Sequence, residues 1–293
     1  MGKKRIVITG GNGQLGRSLL KLGSVFENLE LLPIDINELD ISKTDDVDRL
    51  IPDLRPDFLI NCAAYTAVDA AEENQDSAFK VNYSGPKNLS SICKVLNIPL
   101  IHISTDYVFP GDSKKPYQEN DPTGPVTVYG RSKLAGEEAI IQSGVLGMII
   151  RTSWLYSEFG HNFVKSMIRL GREKEELSVV SDQLGSPTFA GDLANSILLI
   201  LTKISDGHIV PKPSGIYHFG NGGVCSWYDL ANAVMEISEI KCKIKPVSTE
   251  EFPLPAKRPA YSVLDTSKIR NEFSLEISQW RTSLIKCLEQ LKV

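Results

Sequence analysis

The chain has 293 residues, 42% of them hydrophobic and 23% charged, with a formal net charge of −4. That length supports one large α/β domain or two coupled ones and excludes a disulfide-stapled miniprotein, and no apolar run approaches the roughly 20 residues of a membrane span. With no basic block beyond Lys3-Lys4-Arg5, nothing provides an electrostatic footprint for nucleic acid or anionic lipid, so small-molecule partners are expected.

In chain order, short β-branched runs predict strands at 5–9, 29–35, 57–62, 99–104, 147–152, 177–181 and 216–219. Between and after them, helical patterns fall at 14–22, 44–51, 86–96, 131–142, 162–170, 192–201, 226–237 and about 277–291, with Pro86 and Ser226 as helix starts. This alternation predicts an α/β fold, a Rossmann-type doubly wound parallel sheet of seven strands with a smaller, interleaved carboxy-terminal substrate-binding lobe. Residues 1–153 are expected to form the dinucleotide-binding domain and 154–293 mainly the substrate lobe, with segments near 190–222 returning to the sheet. Two proline-rich stretches, 106–128 and 246–259, interrupt the rhythm. Both are expected over the carboxyl edge of the sheet, where ligands bind in such folds.

Five cysteines, Cys62, Cys93, Cys225, Cys242 and Cys287, are scattered without a C-x-x-C pair, and the four histidines lack H-x-x-x-H spacing. Free thiols in a reducing compartment and no metal site are expected. The apolar run Ile6-Val7-Ile8 is too short for a signal peptide, so a cytoplasmic location is the expectation.

The first strand runs into Thr9-Gly10-Gly11-Asn12-Gly13-Gln14-Leu15-Gly16. Glycines at a first strand-to-helix turn let backbone N–H groups and the helix N-terminus approach a pyrophosphate. Asp35, at the end of the second strand, stands where an acidic residue holds an adenosine ribose, which favours NAD, whereas Arg17 beside the turn would suit the 2′-phosphate of NADP. The cofactor choice stays open between them.

Tyr129 and Lys133 form Y-x-x-x-K on one face of a predicted helix. The spacing also occurs at Tyr83 and Lys87, but there Gly85-Pro86 intervenes, and with Pro86 opening a helix the pair is not expected to share a face. Thr105 follows the fourth strand and places a hydroxyl at the same sheet edge. A hydroxyl, a phenol and a cation there suit ketone reduction: a nicotinamide supplies hydride, and a tyrosine whose pKa is lowered by a nearby charge supplies the proton.

These motifs, together with N-C-A-A-Y-T-A-V-D (61–69), H-I-S-T-D-Y-V-F (102–109), V-Y-G-R-S-K-L-A-G-E (128–137), R-T-S-W-L-Y (151–156), N-F-V-K-S-M-I-R-L-G (162–171), V-V-S-D-Q-L-G-S-P-T (179–188) and S-W-Y-D-L-A (226–231), span nearly the whole chain. In them the sequence resembles the extended short-chain dehydrogenase/reductase family, and within it the dTDP-4-dehydrorhamnose reductases. The resemblance implies NADPH- or NADH-dependent reduction of the 4-keto group of dTDP-4-dehydro-L-rhamnose to dTDP-L-rhamnose, by a monomer or homodimer. It implies Tyr129 as proton donor, Lys133 as the residue that holds the nicotinamide ribose and lowers the tyrosine pKa, and Thr105 as a hydrogen-bond partner of the substrate oxygen. Gly10, Gly13, Gln14, Leu15 and Gly16 would face the pyrophosphate, Asp35, Asp40 and Ile41 the adenosine half, and Ala63, Ala64, Tyr65 and Ile103 other parts of the cofactor. Asp106 and Trp154 would contact the sugar nucleotide, with Arg258 and Lys165 as further diphosphate candidates. Some members of the family hold magnesium at a dimer interface through acidic residues, one of them just after the glycine turn; here that place reads Arg17-Ser18, which does not support magnesium. The alternatives are a non-catalytic cofactor-binding regulatory subunit and another extended-family sugar-nucleotide reductase or epimerase.

Overall fold

A computed structural model describes residues 2–212 and 214–291. Its strands are β1 (Lys4–Thr9), β2 (Leu29–Ile34), β3 (Phe58–Asn61), β4 (Leu100–Thr105), β5 (Gly147–Thr152), β6 (Leu155–Tyr156), β7 (Glu176–Val180), β8 (Leu184–Gly185), β9 (Thr188–Phe189), β10 (Gly215–Phe219), β11 (Cys225–Ser226) and β12 (Lys243–Val247). Six of them form one parallel sheet in the order β10-β5-β4-β3-β1-β2. β1 lies second from one edge; the chain passes first to β2 at that edge and then back across to β3, β4, β5 and β10, and at this reversal the carboxyl ends of β1 and β3 lie side by side and open a crevice.

Residues of β1, β3, β4 and β5 are buried in continuous runs because helices cover both faces. On one face Val7, Leu59, Leu100 and Ile149 pack with Val47, Ile51, Leu89, Ile92 and Ile140 from the helices Thr44–Leu54, Gly85–Leu96 and Val128–Ser143. On the other, Ile6, Ile8, Ile60, Ile101 and Ile150 meet the helices Gln14–Gly23, Ala190–Ser205 and Ser267–Phe273. A separate apolar cluster joins Val164, Met167 and Ile168 of the helix Phe163–Glu173 to Leu230 and Val234 of Trp227–Ile237 and Leu284 and Leu288 of Trp280–Leu291.

The expected seventh strand of the sheet is placed elsewhere. β7 pairs in parallel with β12, away from the six-stranded sheet. Its burial alternates, with Leu177 and Val179 inside and Glu176 and Ser178 outside, the signature of a strand covered on one face only. The structure also has elements that the sequence pattern does not reveal: the short helices Val68–Glu73 and Gln75–Phe79, a wider π-type turn over Lys80–Ser84, and the helix Ser267–Phe273.

Ser226 caps its helix through a reciprocal box in which its hydroxyl accepts from Asp229 N and the Asp229 carboxylate accepts from Ser226 N. Pro86 sits in the first turn of Gly85–Leu96, yet the preceding Ser84 is already helical, because the π-type turn feeds straight into that helix. Tyr83 and Lys87 therefore do share a face: the Lys87 ammonium lies 5.9 Å from the Tyr83 ring centroid. That pair is separate from the crevice.

Candidate active site

A cavity of about 800 Å³ opens at the carboxyl ends of β1 to β5. The glycine turn lines one side, Asp35, Asp40 and Ile41 one end, and Ala63, Ala64, Tyr65 and Ile103 the floor. Thr105, Asp106, Tyr129, Lys133 and Trp154 complete it, so the candidate catalytic, cofactor and substrate residues border this one space, apart from Arg17, Lys165 and Arg258.

The turn is shaped for close approach. Gly10 has φ +69°, and a Cβ there would stand 2.7 Å from Ala63 N, so only glycine fits between β1 and the end of β3. At Gly16 a Cβ would lie 2.5 Å from Gly10 O, which keeps the helix tight against the turn. The helix Gln14–Gly23 begins at Gly13 with no side-chain cap, and its first residues Gln14, Leu15 and Gly16 border the cavity. An uncapped helix N-terminus behind a glycine turn fits the pyrophosphate of a dinucleotide.

Asp35 is tied to the same turn, its carboxylate accepting from Asn12 N and Ile36 N, each at 2.8 Å. Asp40 accepts from Ser42 N and Ser42 Oγ. Burial opposes its charge, yet those bonds and the nearby Lys80 and Lys43 hold it below the usual carboxylate range. Arg17, the rival determinant, points elsewhere: its guanidinium lies 4.3 Å above the Phe159 ring centroid, outside the cavity lining. Ser18 donates to Gln14 O, and Glu158 on the facing loop is paired with Lys21 at 2.7 Å. That pair uses one oxygen of Glu158; the other is buried without a partner. Among the described residues, no group of three or more His, Cys, Asp or Glu could hold a metal ion.

The helix Val128–Ser143 carries the Tyr/Lys pair. Thr127 caps it by accepting from Gly130 N, and Val128 N donates to Glu72 Oε1, so Tyr129 stands in the first turn and Lys133 one turn later. Four residues on, Glu137 binds Arg151 of β5 at 2.6 Å and accepts from Ser104 Oγ of β4, locking the helix to the sheet. Burial pushes the Tyr129 phenol above its ordinary pKa, partly offset by a hydrogen bond with Thr105 and reinforced by Asp106 and Tyr107. The expected lowering by Lys133 is thus overridden, because the desolvated phenolate is the costlier form. Lys133, 2% exposed, donates to Ile103 O at 2.7 Å, and burial brings its pKa down to about 8 despite Glu137 and Cys62.

Thr105 Oγ1 donates to Asp106 Oδ1 at 2.9 Å, while Asp106 Oδ2 is buried without a partner beside the cavity. Burial raises that carboxyl to about 6. Trp154 is held in a left-handed backbone conformation, φ +47°, and stacks on Trp227 with ring centroids 3.6 Å apart. Arg258 pairs with Asp69 at 2.5 Å and reaches Tyr107 Oη at 3.4 Å, bracing residues 256–259 against the edge of the site, while Lys165 donates to Glu158 O.

Sequence reasoning missed several participants. Asn61 and His102 lie buried beneath Lys133, joined at 3.0 Å. Trp227 backs Trp154, and His161 and Asn162 border the cavity opposite the glycine turn. Each lies within a quoted sequence block or next to one, but no local spacing marks it as part of the site.

The family model described as the RmlD substrate binding domain matches residues 4–293. The chain belongs to this family. A dTDP-4-dehydrorhamnose reductase of Aggregatibacter actinomycetemcomitans is 41% identical to it over 286 residues, 96% of this chain and 97% of the relative. A dTDP-4-dehydrorhamnose reductase structure from Clostridium acetobutylicum, 41% identical, superposes with a TM-score of 0.91 over 99% of this chain and 100% of its own. A Bacillus anthracis dTDP-4-dehydrorhamnose reductase in complex with NADP, 39% identical, gives the same TM-score over 98% and 99%. The Rossmann-like fold extends further: a Thermus thermophilus UDP-glucose 4-epimerase, 19% identical, superposes at 0.82 over 98% of this family member and 99% of the epimerase.

Proposed function

We propose that the protein reduces the 4-keto group of dTDP-4-dehydro-L-rhamnose to dTDP-L-rhamnose, using NADPH or NADH. The observation that carries the reading is the meeting of Thr105, Tyr129 and Lys133 in the same cavity as the uncapped glycine turn. Membership of the reductase family and the NADP-bound relative support the substrate and the cofactor.

A bound reduced nicotinamide would supply hydride to the carbonyl carbon. Tyr129, kept protonated by burial, then gives its phenolic proton to the oxygen as the C–O double bond becomes single. Thr105, hydrogen-bonded with Tyr129, orients that oxygen. Lys133 holds the ribose side of the cofactor. Gly10, Gly13, Gln14, Leu15 and Gly16 bind the pyrophosphate, Asp35, Asp40 and Ile41 the adenosine half, and Ala63, Ala64, Tyr65 and Ile103 the floor side. Asp106, with its unpartnered oxygen, accepts from a sugar hydroxyl, and Trp154 forms a wall.

In this reading residues 1–153, with segments near 190–222, hold the cofactor and most of 154–293 the sugar nucleotide. The protein acts in the cytoplasm as a monomer or homodimer, without nucleic acid or membrane partners; no helix among the described residues is long and apolar enough to cross a membrane. The test offers purified protein the keto sugar nucleotide with NADPH and, separately, with NADH. Cofactor oxidation with formation of dTDP-L-rhamnose is expected, and no oxidation with either overturns the proposal.

A further inference from the structure

Tyr129 is the second residue of its helix, so its place depends on how the first turn is held. The first N–H groups of a helix have no partner within it. Here Thr127 Oγ1 accepts from Gly130 N at 3.0 Å, and Glu72 Oε1 accepts from Val128 N at 2.9 Å. Thr127 is a local cap of the ordinary kind, whereas Glu72 reaches in from the six-residue helix Val68–Glu73, 56 residues earlier in the chain. Its carboxylate also meets the positive end of the helix dipole. Tyr129 lies between the two amides so fixed.

Glu72 does not act alone. One helical turn before it, Asp69 accepts from Ala256 N at 3.1 Å and pairs with Arg258 at 2.5 Å. Arg258 in turn donates to Tyr107 Oη at 3.4 Å, and the Tyr107 and Tyr129 rings meet in a T-shaped contact with centroids 5.5 Å apart. The Tyr107 backbone closes in as well, since a Cβ on Gly130 would collide with Tyr107 O. Ala71, on the same short helix as the two carboxylates, packs in one apolar cluster with Val128 and Tyr129. The contacts form a closed ring that runs from Tyr129 through Tyr107, Arg258, Asp69 and Glu72 back to the start of the Tyr129 helix.

We propose that Glu72 and Asp69 are positioning residues for Tyr129, through which segment 256–258 and the Tyr/Lys helix are set as one body. Neither residue lines the cavity, so neither touches the reacting atoms. Their effect is on aim. The phenolic proton has to reach the carbonyl oxygen along a hydrogen bond, and a displacement of about 1 Å slows such a step by up to roughly a hundredfold. The catalytic consequence rests on the proposed reductase reading; the ring of contacts does not.

The test joins amide hydrogen exchange with kinetics on the full-length protein. In the wild type the Val128 N–H is expected to be protected like the helix interior, and in Glu72→Ala to exchange freely. Free exchange at Val128 in the wild type overturns the inference without reference to any reaction. In the reduction assay Glu72→Ala is expected to lower kcat roughly ten- to a hundredfold and to leave KM for the cofactor within about twofold. The solvent deuterium isotope effect on kcat rises, because proton delivery has become the slow step. Glu72→Gln keeps an acceptor for Val128 N and restores most of the rate. In a Tyr129→Phe background Glu72→Ala changes the residual rate by less than about twofold, since no phenol is left to aim. Asp69→Ala releases segment 256–258, follows the same pattern, and decides the matter if Glu72→Ala does not fold. Wild-type kcat and isotope effect in folded Glu72→Ala, or an equal loss in the Tyr129→Phe background, overturn the positioning role. Should Val128 be protected as expected while the keto sugar nucleotide is not reduced, the reductase reading falls and the ring of contacts stands.

Discussion

Glu137→Gln tests how the Tyr/Lys helix is held. Glu137 is 1% exposed and its partner Arg151 2%, with charge-assisted bonds from Arg151 Nη2 at 2.6 Å and Nε at 3.0 Å, and a further bond from Ser104. Glutamine preserves the volume but leaves the guanidinium as an uncompensated buried charge, which costs about 3–5 kcal/mol. At about 2 cal/mol/K per residue, 293 residues give an unfolding entropy of ~0.6 kcal/mol/K, so the melting midpoint falls by roughly 5–8 °C. Calorimetry and urea titration at pH 7 read the loss directly. The double variant Glu137→Leu with Arg151→Met removes both charges at similar volume and loses less than Glu137→Gln. A single-variant loss below about 1 kcal/mol, or a double variant as costly as the two single changes together, would refute the idea that this ion pair anchors the helix.

Tyr129→Phe removes the proposed proton donor and lowers kcat by roughly 10²–10⁴-fold in the reduction assay; undiminished turnover means another group supplies the proton. Asp35→Ser takes a carboxylate from the end of β2, and with Arg17 occupied on Phe159, the ratio of kcat/KM for NADPH to that for NADH rises roughly tenfold, about 1.4 kcal/mol. A ratio that stays constant or falls contradicts the placement of the ribose beside Asp35. Asp106 has a folded-state value raised to about 6 from an ordinary 3.8, so its protonated form stabilises the fold below pH 4 and that contribution is lost as pH rises through 6. Measured against Asp106→Asn by urea unfolding, the wild type therefore loses up to about 3 kcal/mol between pH 4 and pH 7, and a difference that is flat with pH sinks the claim.

The parts of this molecule that could be read from the sequence are those in which chemistry and local geometry coincide. The glycine turn must follow a strand and open a helix, and Tyr129 and Lys133 lie one helical turn apart, so spacing alone brings them together. What could not be read depends on distant chain segments. β7 looks like any short apolar strand until its partner, β12, is found more than sixty residues later. Tyr83 and Lys87 look separated in sequence because Pro86 favours a helix start, whereas the π-type turn over Lys80–Ser84 runs straight into the helix that contains Pro86. Arg17 next to the turn invites a phosphate role, and only the fold reveals Phe159 beneath its guanidinium. Asn61 and His102 sit in separate strands and become one chain only when β3 and β4 pair, with Asn61 opposite His102.

Gln14 accepts hydrogen bonds at Oε1 from Ser157 Oγ at 3.0 Å and Asn162 Nδ2 at 2.9 Å, while Asn162 also caps the helix Phe163–Glu173. One carboxamide in the glycine turn thus fastens the loop that begins the second apolar cluster. Because Asn162 Nδ2 also donates to Ser157 O and Phe159 O, and Gln14 Oε1 also accepts from Ser157 Oγ, a change at position 14 unties the loop from the turn while the loop keeps its own hydrogen bonds, so the coupling between the two halves can be cut without unravelling either.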